Sequence, residues 1–264
     1  MENNKECTYP SSKSKEISKM RHHETIVHDK QNIAELFNDY FSTIGSNLAQ
    51  TIPTTTKSVN DYLPASNLFS LFMLPTNEKE VNDIVNSLKK NKSPGFDNIT
   101  NELLKSIIDE IVTPLTYIFN LSMSSGVVPD KMKIAKVIPI FKKGDAQDCS
   151  NYRPISLLTT FSKILERLVY NRTINFFTRH KILSDRQFGF RENHTTSHAI
   201  LHFINKIASA LDNRCHTVGL FLDFSKAFYT IDHNIIMQKL HYGVRGRLWS
   251  GTKAILRIER NLYH

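Results

Sequence analysis

The run Phe221–Phe224, FLDF, sets one carboxylate at the end of an apolar stretch. Read as a strand, the stretch turns Leu220 and Leu222 to one face and Phe221 and Asp223 to the other. A carboxylate at a strand end reaches a cleft edge while its backbone stays rigid, a setting suited to a hard divalent cation that prefers oxygen donors. Phe228, shortly after, would lay a flat ring against whatever binds there. The plainer reading is an Asp that caps the following turn, and spacing alone does not separate the two.

A second set of residues is cationic. Lys142 and Lys143 close one β-like run and Arg153 opens the next, so antiparallel pairing would gather them. A mobile, doubly basic hairpin facing a metal-bound acid could grip a triphosphate, with Arg as a fork and Lys as a point charge. Without such an acid it is an ordinary charged turn. His194, His198 and His202 recur every four residues like metal ligands, but no nearby Cys, Asp or Glu completes a tetrahedral set.

The elements that must position these groups can be read from periodicity and punctuation. Residues 1–29 are polar and uneven and are expected to be disordered. Ile33, Leu36, Phe37, Tyr40, Phe41 and Ile44 give a helix over 30–48, and the Thr, Ser, Pro and Asn run after it reads as linker, so 30–75 forms a helical linker region. Asn77 with Glu80 resembles a capping box ahead of Val81, Ile84, Val85 and Leu88. Pro94 and Gly95 stop that helix, and another runs from Asn101 to about Met123. The runs 135–141 and 153–158, joined through Gly144 and Asp145, predict a hairpin. Helices follow at about 162–177 and 196–211, the latter with Ile200, Phe203, Ile204, Ile207 and Leu211 on one face. A strand over 218–224 and a short helix after an Asp232 cap complete an α+β domain, expected to put Arg153 and Asp223 in a common cleft.

The 264 residues carry a net charge of +9 and are 40% hydrophobic. Between Lys131 and Arg191 there are 13 Lys or Arg against 4 Asp or Glu, an excess equal to that of the whole chain. Such a concentration points to a polyanion, most often nucleic acid. No run approaches the roughly 20 apolar residues of a membrane span, and the polar N-terminus is no secretory signal. Cys7, Cys149 and Cys215 are scattered and odd in number. An intracellular place, nucleus or cytoplasm, and no membrane partner are expected.

Four blocks carry a resemblance: KSPGFDNI (92–99), AKVIPIFKKGD with NYRPISLL (135–158), QFGFRENHTT (187–196) and FLDFSKAF (221–228). In this order they resemble the reverse transcriptase of non-LTR (LINE-type) retrotransposons. The resemblance implies the right-hand polymerase fold, with residues 76–245 as fingers and an incomplete palm. It implies two Mg²⁺ ions that join a dNTP to the 3′-hydroxyl of a DNA primer on an RNA template. Asp223 matches the first metal-binding aspartate, and the Phe224 carbonyl an additional metal ligand. Phe228 matches the ring that clashes with a ribose 2′-hydroxyl. Lys142 or Lys143, with Arg153, match the residues that hold the triphosphate. Gln187, Gly189, Phe190 and Arg191 match the block that supports the template and incoming base.

The departures bear on activity. Tyr229 stands where the family has Asp, and a neutral phenol cannot make a carboxylate's charge-assisted bonds. Residues 246–264 keep little of the expected apolar helix and read as a shifted frame or a spurious exon. No two aspartates are adjacent in the chain, so the aromatic-x-Asp-Asp block is missing. The expectation is a truncated RNA-directed DNA polymerase, inactive alone. The alternatives are a non-catalytic nucleic-acid-binding remnant and a decayed reading frame.

Overall fold

The computed structural model describes residues 17–53, 56–62, 69–224, 227, 231–240 and 243. Its centre is helical. Helix α2 (Glu78–Ser87) starts where the Asn77 side chain accepts from the Glu80 N–H at 2.8 Å, and α3 (Asn101–Ser125) starts at a Thr100 cap and ends on Gly126 with φ 72°. These caps satisfy backbone groups that a helix end otherwise leaves open. Val81, Val85, Leu104 and Phe119 then meet Ile164 and Leu168 of α4 (Thr160–Arg179), all fully buried. The apolar spacing read from the sequence is therefore the packing face of α2.

A smaller cluster lies towards the N-terminus. Strands β1 (Met20–His22) and β2 (Thr25–Val27) pair antiparallel, and α1 (Lys30–Gln50) follows an Asp29 cap. Met20, Ile33, Phe37 and Phe41 are buried together, with Tyr152 packed against them. Two expectations change here. Residues 17–29 are not without order, because Met20 supplies the apolar anchor that composition alone hid. Helix α1 runs two residues past the expected 30–48, through Gly45, and its apolar face is buried in this cluster.

Strands β3 (Ala135–Phe141) and β4 (Tyr152–Leu158) form the expected hairpin, in register Ala135↔Leu158 through Phe141↔Tyr152. The two sheets among the described residues are both two-stranded. The strand expected over 218–224 is absent: residues 215–224 run without ladder pairing. Val218, Leu220, Phe221 and Leu222 are 77–92% exposed. A strand is held by its neighbour's N–H and C=O groups, and this segment meets neither sheet. Helix α5 (Thr196–Asp212) forms as its period requires, yet Ile200, Phe203, Ile204 and Leu211 are exposed. Phe221 lies edge to face with Phe203 at 5.8 Å. Helix α6 (His233–Leu240) follows Asp232, whose carboxylate accepts from the Asn234 N–H at 2.7 Å. Among the described residues no helix is long and apolar enough to cross a membrane. The expected 246–264 tail lies outside them.

Candidate nucleic-acid and nucleotide interface

Pairing decides which face of the hairpin each cation takes. Ile140 lies opposite Arg153, and the Lys142 N–H donates to the Asn151 carbonyl at 2.8 Å, which extends the ladder past the strand end. Side chains alternate along a strand, and paired residues share a face. Lys136, Ile140, Lys142 and Arg153 therefore stand on one face, with Lys142 diagonal to Arg153, and Lys143 follows in the bend beyond the ladder. Lys136, Lys142, Lys143 and Arg153 are all exposed.

The opposite face is the one that packs. Val137 and Pro139 face α1 across a cavity of about 450 Å³ that Ile33, Phe37, Phe41 and Phe96 also line, and Lys136 borders its edge. Tyr152 sits edge to face with Phe37 at 4.9 Å. With its back on α1, the hairpin keeps its cationic front towards solvent.

The tip is closed by a tight turn and its own hydrogen bonds. Gly144, at φ 95°, makes a turn that L side chains rarely adopt, and a Cβ there would strike the Asn151 amide at 2.8 Å. The Asp145 carboxylate accepts from the Gln147 N–H at 2.9 Å, the Asp145 carbonyl accepts from the Asn151 amide at 3.0 Å, and the Tyr152 hydroxyl donates to the Ala146 carbonyl at 2.7 Å. Burial pushes the Tyr152 phenol above its ordinary range, so it remains a donor. Strand β1 braces the tip from outside: the Arg21 N–H donates to Gln147 O at 2.8 Å, and its guanidinium pairs with Asp145 at 2.9 Å. That ion pair is half exposed and is worth at most about 1 kcal/mol. The bracing therefore comes mainly from the backbone bond and from buried Met20.

The 187–191 loop lies between α4 and α5. The Gln187 amide donates to Gly189 O at 3.2 Å and Arg191 donates to Ser184 O at 2.8 Å, so the loop is closed by its own polar groups. Phe190 is 87% exposed and takes φ 58°, a left-handed backbone that is costly for a bulky residue. Gly189 has open space where a Cβ would be. Phe188 lies 6.0 Å from the His194 ring and 5.9 Å from His202, so these histidines flank an aromatic side chain.

The acid is placed otherwise than expected. Asp223 and Phe224 are exposed on the unpaired 215–224 segment. The rigid strand end that a metal-binding carboxylate needs is not present, because the strand is not. Among the described residues no three His, Cys, Asp or Glu side chains gather as a metal site would require. Phe228 and Tyr229 lie outside the described residues.

The family description reverse transcriptase (RNA-dependent DNA polymerase) matches residues 140–254. The chain is 32% identical over 202 residues to the probable RNA-directed DNA polymerase from transposon BS of Drosophila melanogaster. That match covers 74% of this chain and 22% of the relative. The chain belongs to the non-LTR retrotransposon reverse transcriptases. It is 31% identical to the RNA-directed DNA polymerase from mobile element jockey of the same species, over 79% of this chain and 23% of that one. The probable RNA-directed DNA polymerase from transposon X-element of Drosophila melanogaster is 32% identical over 58% of this chain and 17% of its own length. The chain thus spans less than a quarter of the relatives it matches.

Two features that hold the interface were not read from the sequence. Arg172 of α4 makes a two-pronged pair with Glu80, both contacts 2.8 Å, and also donates to the carbonyls of Leu74, Pro75 and Leu168. Glu80, read as a capping-box partner, turns to Arg172 and to the Thr76 hydroxyl, so only the Asn77 half of the box exists. The Arg172 guanidinium holds its carboxyl below the usual range against the opposing effect of burial. The second is a buried hydroxyl seam at the hairpin base, joining α4 to the 92–101 segment.

Proposed function

We propose that this chain supplies the template- and nucleotide-gripping part of an RNA-directed DNA polymerase, the fingers of a right-hand fold with an incomplete palm over residues 76–245. The strand register carries the proposal, because it sets Lys136, Lys142 and Arg153 on one exposed face whose reverse meets α1 through Tyr152. Three cations on a stiff ribbon suit a polyphosphate: Arg153 offers planar paired donors, and Lys142 and Lys136 offer point charges. The 187–191 loop adds an exposed ring, Phe190, beside Arg191, and single-stranded nucleic acid uses such rings as stacking surfaces. Gln187 and Gly189 shape that loop. RNA template, DNA primer and dNTP are the partners on this reading.

The family reaction also calls for divalent metal, with Mg²⁺ proposed and Asp223 and the Phe224 carbonyl as donors. The residues described do not fit a complete two-ion centre. Asp223 sits on an unpaired, exposed segment with no second carboxylate gathered to it. We therefore assign this chain binding without polymerisation. Discrimination by Phe228 at the sugar stays part of the proposal for a complete centre.

Fluorescence anisotropy of a labelled single-stranded RNA of about 20 nucleotides, titrated with salt, tests the binding. Each neutralised phosphate releases condensed counterions, so four engaged cations give a log–log slope near −3. Replacing Lys142, Lys143 and Arg153 with Ala should weaken binding and flatten that slope by at least about 1.4, the share of Lys142 and Arg153, and Asp223→Ala should change neither. Equal binding by the triple variant would refute the assignment of the interface.

A further inference from the structure

The hairpin face is useful only if its angle to the rest of the interface is held, and the buried seam at its base lies where that angle is set. Both feet of the hairpin end at the first turn of α4. At the first foot the Ser162 hydroxyl donates to the carbonyl of Met132, two residues before Ile134 leads into β3, at 2.7 Å. Ser162 shares a 2.6 Å hydrogen bond with the Thr159 hydroxyl. At the second foot the Thr160 hydroxyl reaches Ile99 O and the Asn101 side-chain oxygen, both at 3.1 Å, while the Asn101 amide donates to Lys89 O at 2.8 Å. Thr159, Thr160, Ser162 and Asn101 are all at most 5% exposed. Gly95 lies directly against the chain leaving β4: a Cβ there would stand 2.8 Å from Thr159 N and 2.9 Å from Leu158 C. Backbone touches backbone, and only glycine permits it.

Resting on the binding function proposed above, we infer that Thr160 and Gly95 are positioning residues that set the tilt of the cationic hairpin on α4. The lever is long. Arg153 lies five residues from Leu158, about 17 Å at roughly 3.4 Å per strand residue. A tilt of about 5° at the foot then moves Arg153 by about 1.5 Å, enough to break a hydrogen-bonded phosphate contact. The other end of α4 leads into the 187–191 loop, so one helix of about 30 Å joins the two surfaces that a strand must touch together. Losing their alignment loses the gain of simultaneous engagement.

The test uses the full chain and the same labelled RNA. Thr160→Val keeps the shape and removes the hydroxyl, Thr160→Ser keeps the hydroxyl, and Gly95→Ala wedges the foot. Each is melted by circular dichroism and titrated with salt below its midpoint. Thr160→Val and Gly95→Ala are expected to bind about tenfold more weakly, with a slope flatter by about 1.4, the share of Lys142 and Arg153 at about 0.7 per phosphate. Thr160→Ser should retain both. A folded Thr160→Val protein with wild-type slope and a lowered midpoint would make the seam structural only and overturn the inference. A folded Thr160→Ser protein with a flattened slope would overturn it too, and that variant settles the matter if Thr160→Val does not fold. If Lys142→Ala with Arg153→Ala leaves the slope intact, the interface reading itself falls; if that pair flattens it and Thr160→Val does not, only the positioning role falls.

Discussion

Replacing Arg172 with Met removes a charge while keeping most of the apolar stem, and its cost follows from what the guanidinium touches. Arg172 is 11% exposed and Glu80 30%, so the pair sits between a surface pair worth 1 kcal/mol or less and a buried one whose loss costs about 3–5 kcal/mol. Glu80 retains the Thr76 hydroxyl and some water, whereas the Leu74 and Pro75 carbonyls lose their donor. An expected cost of about 2–3 kcal/mol follows, or a midpoint lowered by roughly 5–10 °C for a domain of this size. The pH dependence has a definite sign. The Glu80 carboxyl is held below its ordinary value first by the Arg172 hydrogen bond, so its folded value lies below its unfolded one. Its contribution is present above the unfolded value, near 4.3, and is lost as pH falls through the folded value. Urea unfolding of both proteins at pH 7 and at successively lower pH should therefore show the gap narrowing below about pH 4. A gap under 1 kcal/mol at pH 7, or one of constant size into acid, would show that the pair does not clamp α2 to α4.

Three further outcomes are expected. The purified chain should not extend an RNA-templated primer with dNTPs and Mg²⁺, since loss of transition-state charge stabilisation costs several kcal/mol; extension abolished by Asp223→Ala would overturn this. Phe119→Ala, at a fully buried position among α2, α3 and α4, should cost about 3–5 kcal/mol in denaturant unfolding, and a cost under 1 would remove it from the core. Burial, and then the Asp148 carboxylate, push the Cys149 thiol up while Cys215 is exposed. Iodoacetamide at pH 8, followed by peptide mass analysis, should therefore label Cys215 faster, and equal rates would mean that the hairpin tip opens.

What the sequence made legible divides by the reach of the interaction that holds each part. The helices at 78–87, 101–125, 160–179 and 196–212 and the 135–158 hairpin are marked within a few residues, by a cap, a glycine or an alternation, and they form as expected. Arg172 meets Glu80 across 92 positions and Thr160 meets Asn101 across 59, and no local pattern announces either. Thr159, Thr160 and Ser162 look like the polar start of a surface helix, and only the folded chain shows them buried. The same reach explains the one element that failed. TVGLFLDF alternates as a strand should, but alternation states only how a segment would present itself to a neighbour already in place. The hairpin supplies its own neighbour through a short turn, whereas residues 218–224 must find theirs elsewhere. A carboxylate at a strand end inherits that dependence. Asp223 can be singled out from FLDF, but its rigidity would belong to a ladder beneath it, whereas the cationic face proposed to bind phosphate carries its own ladder.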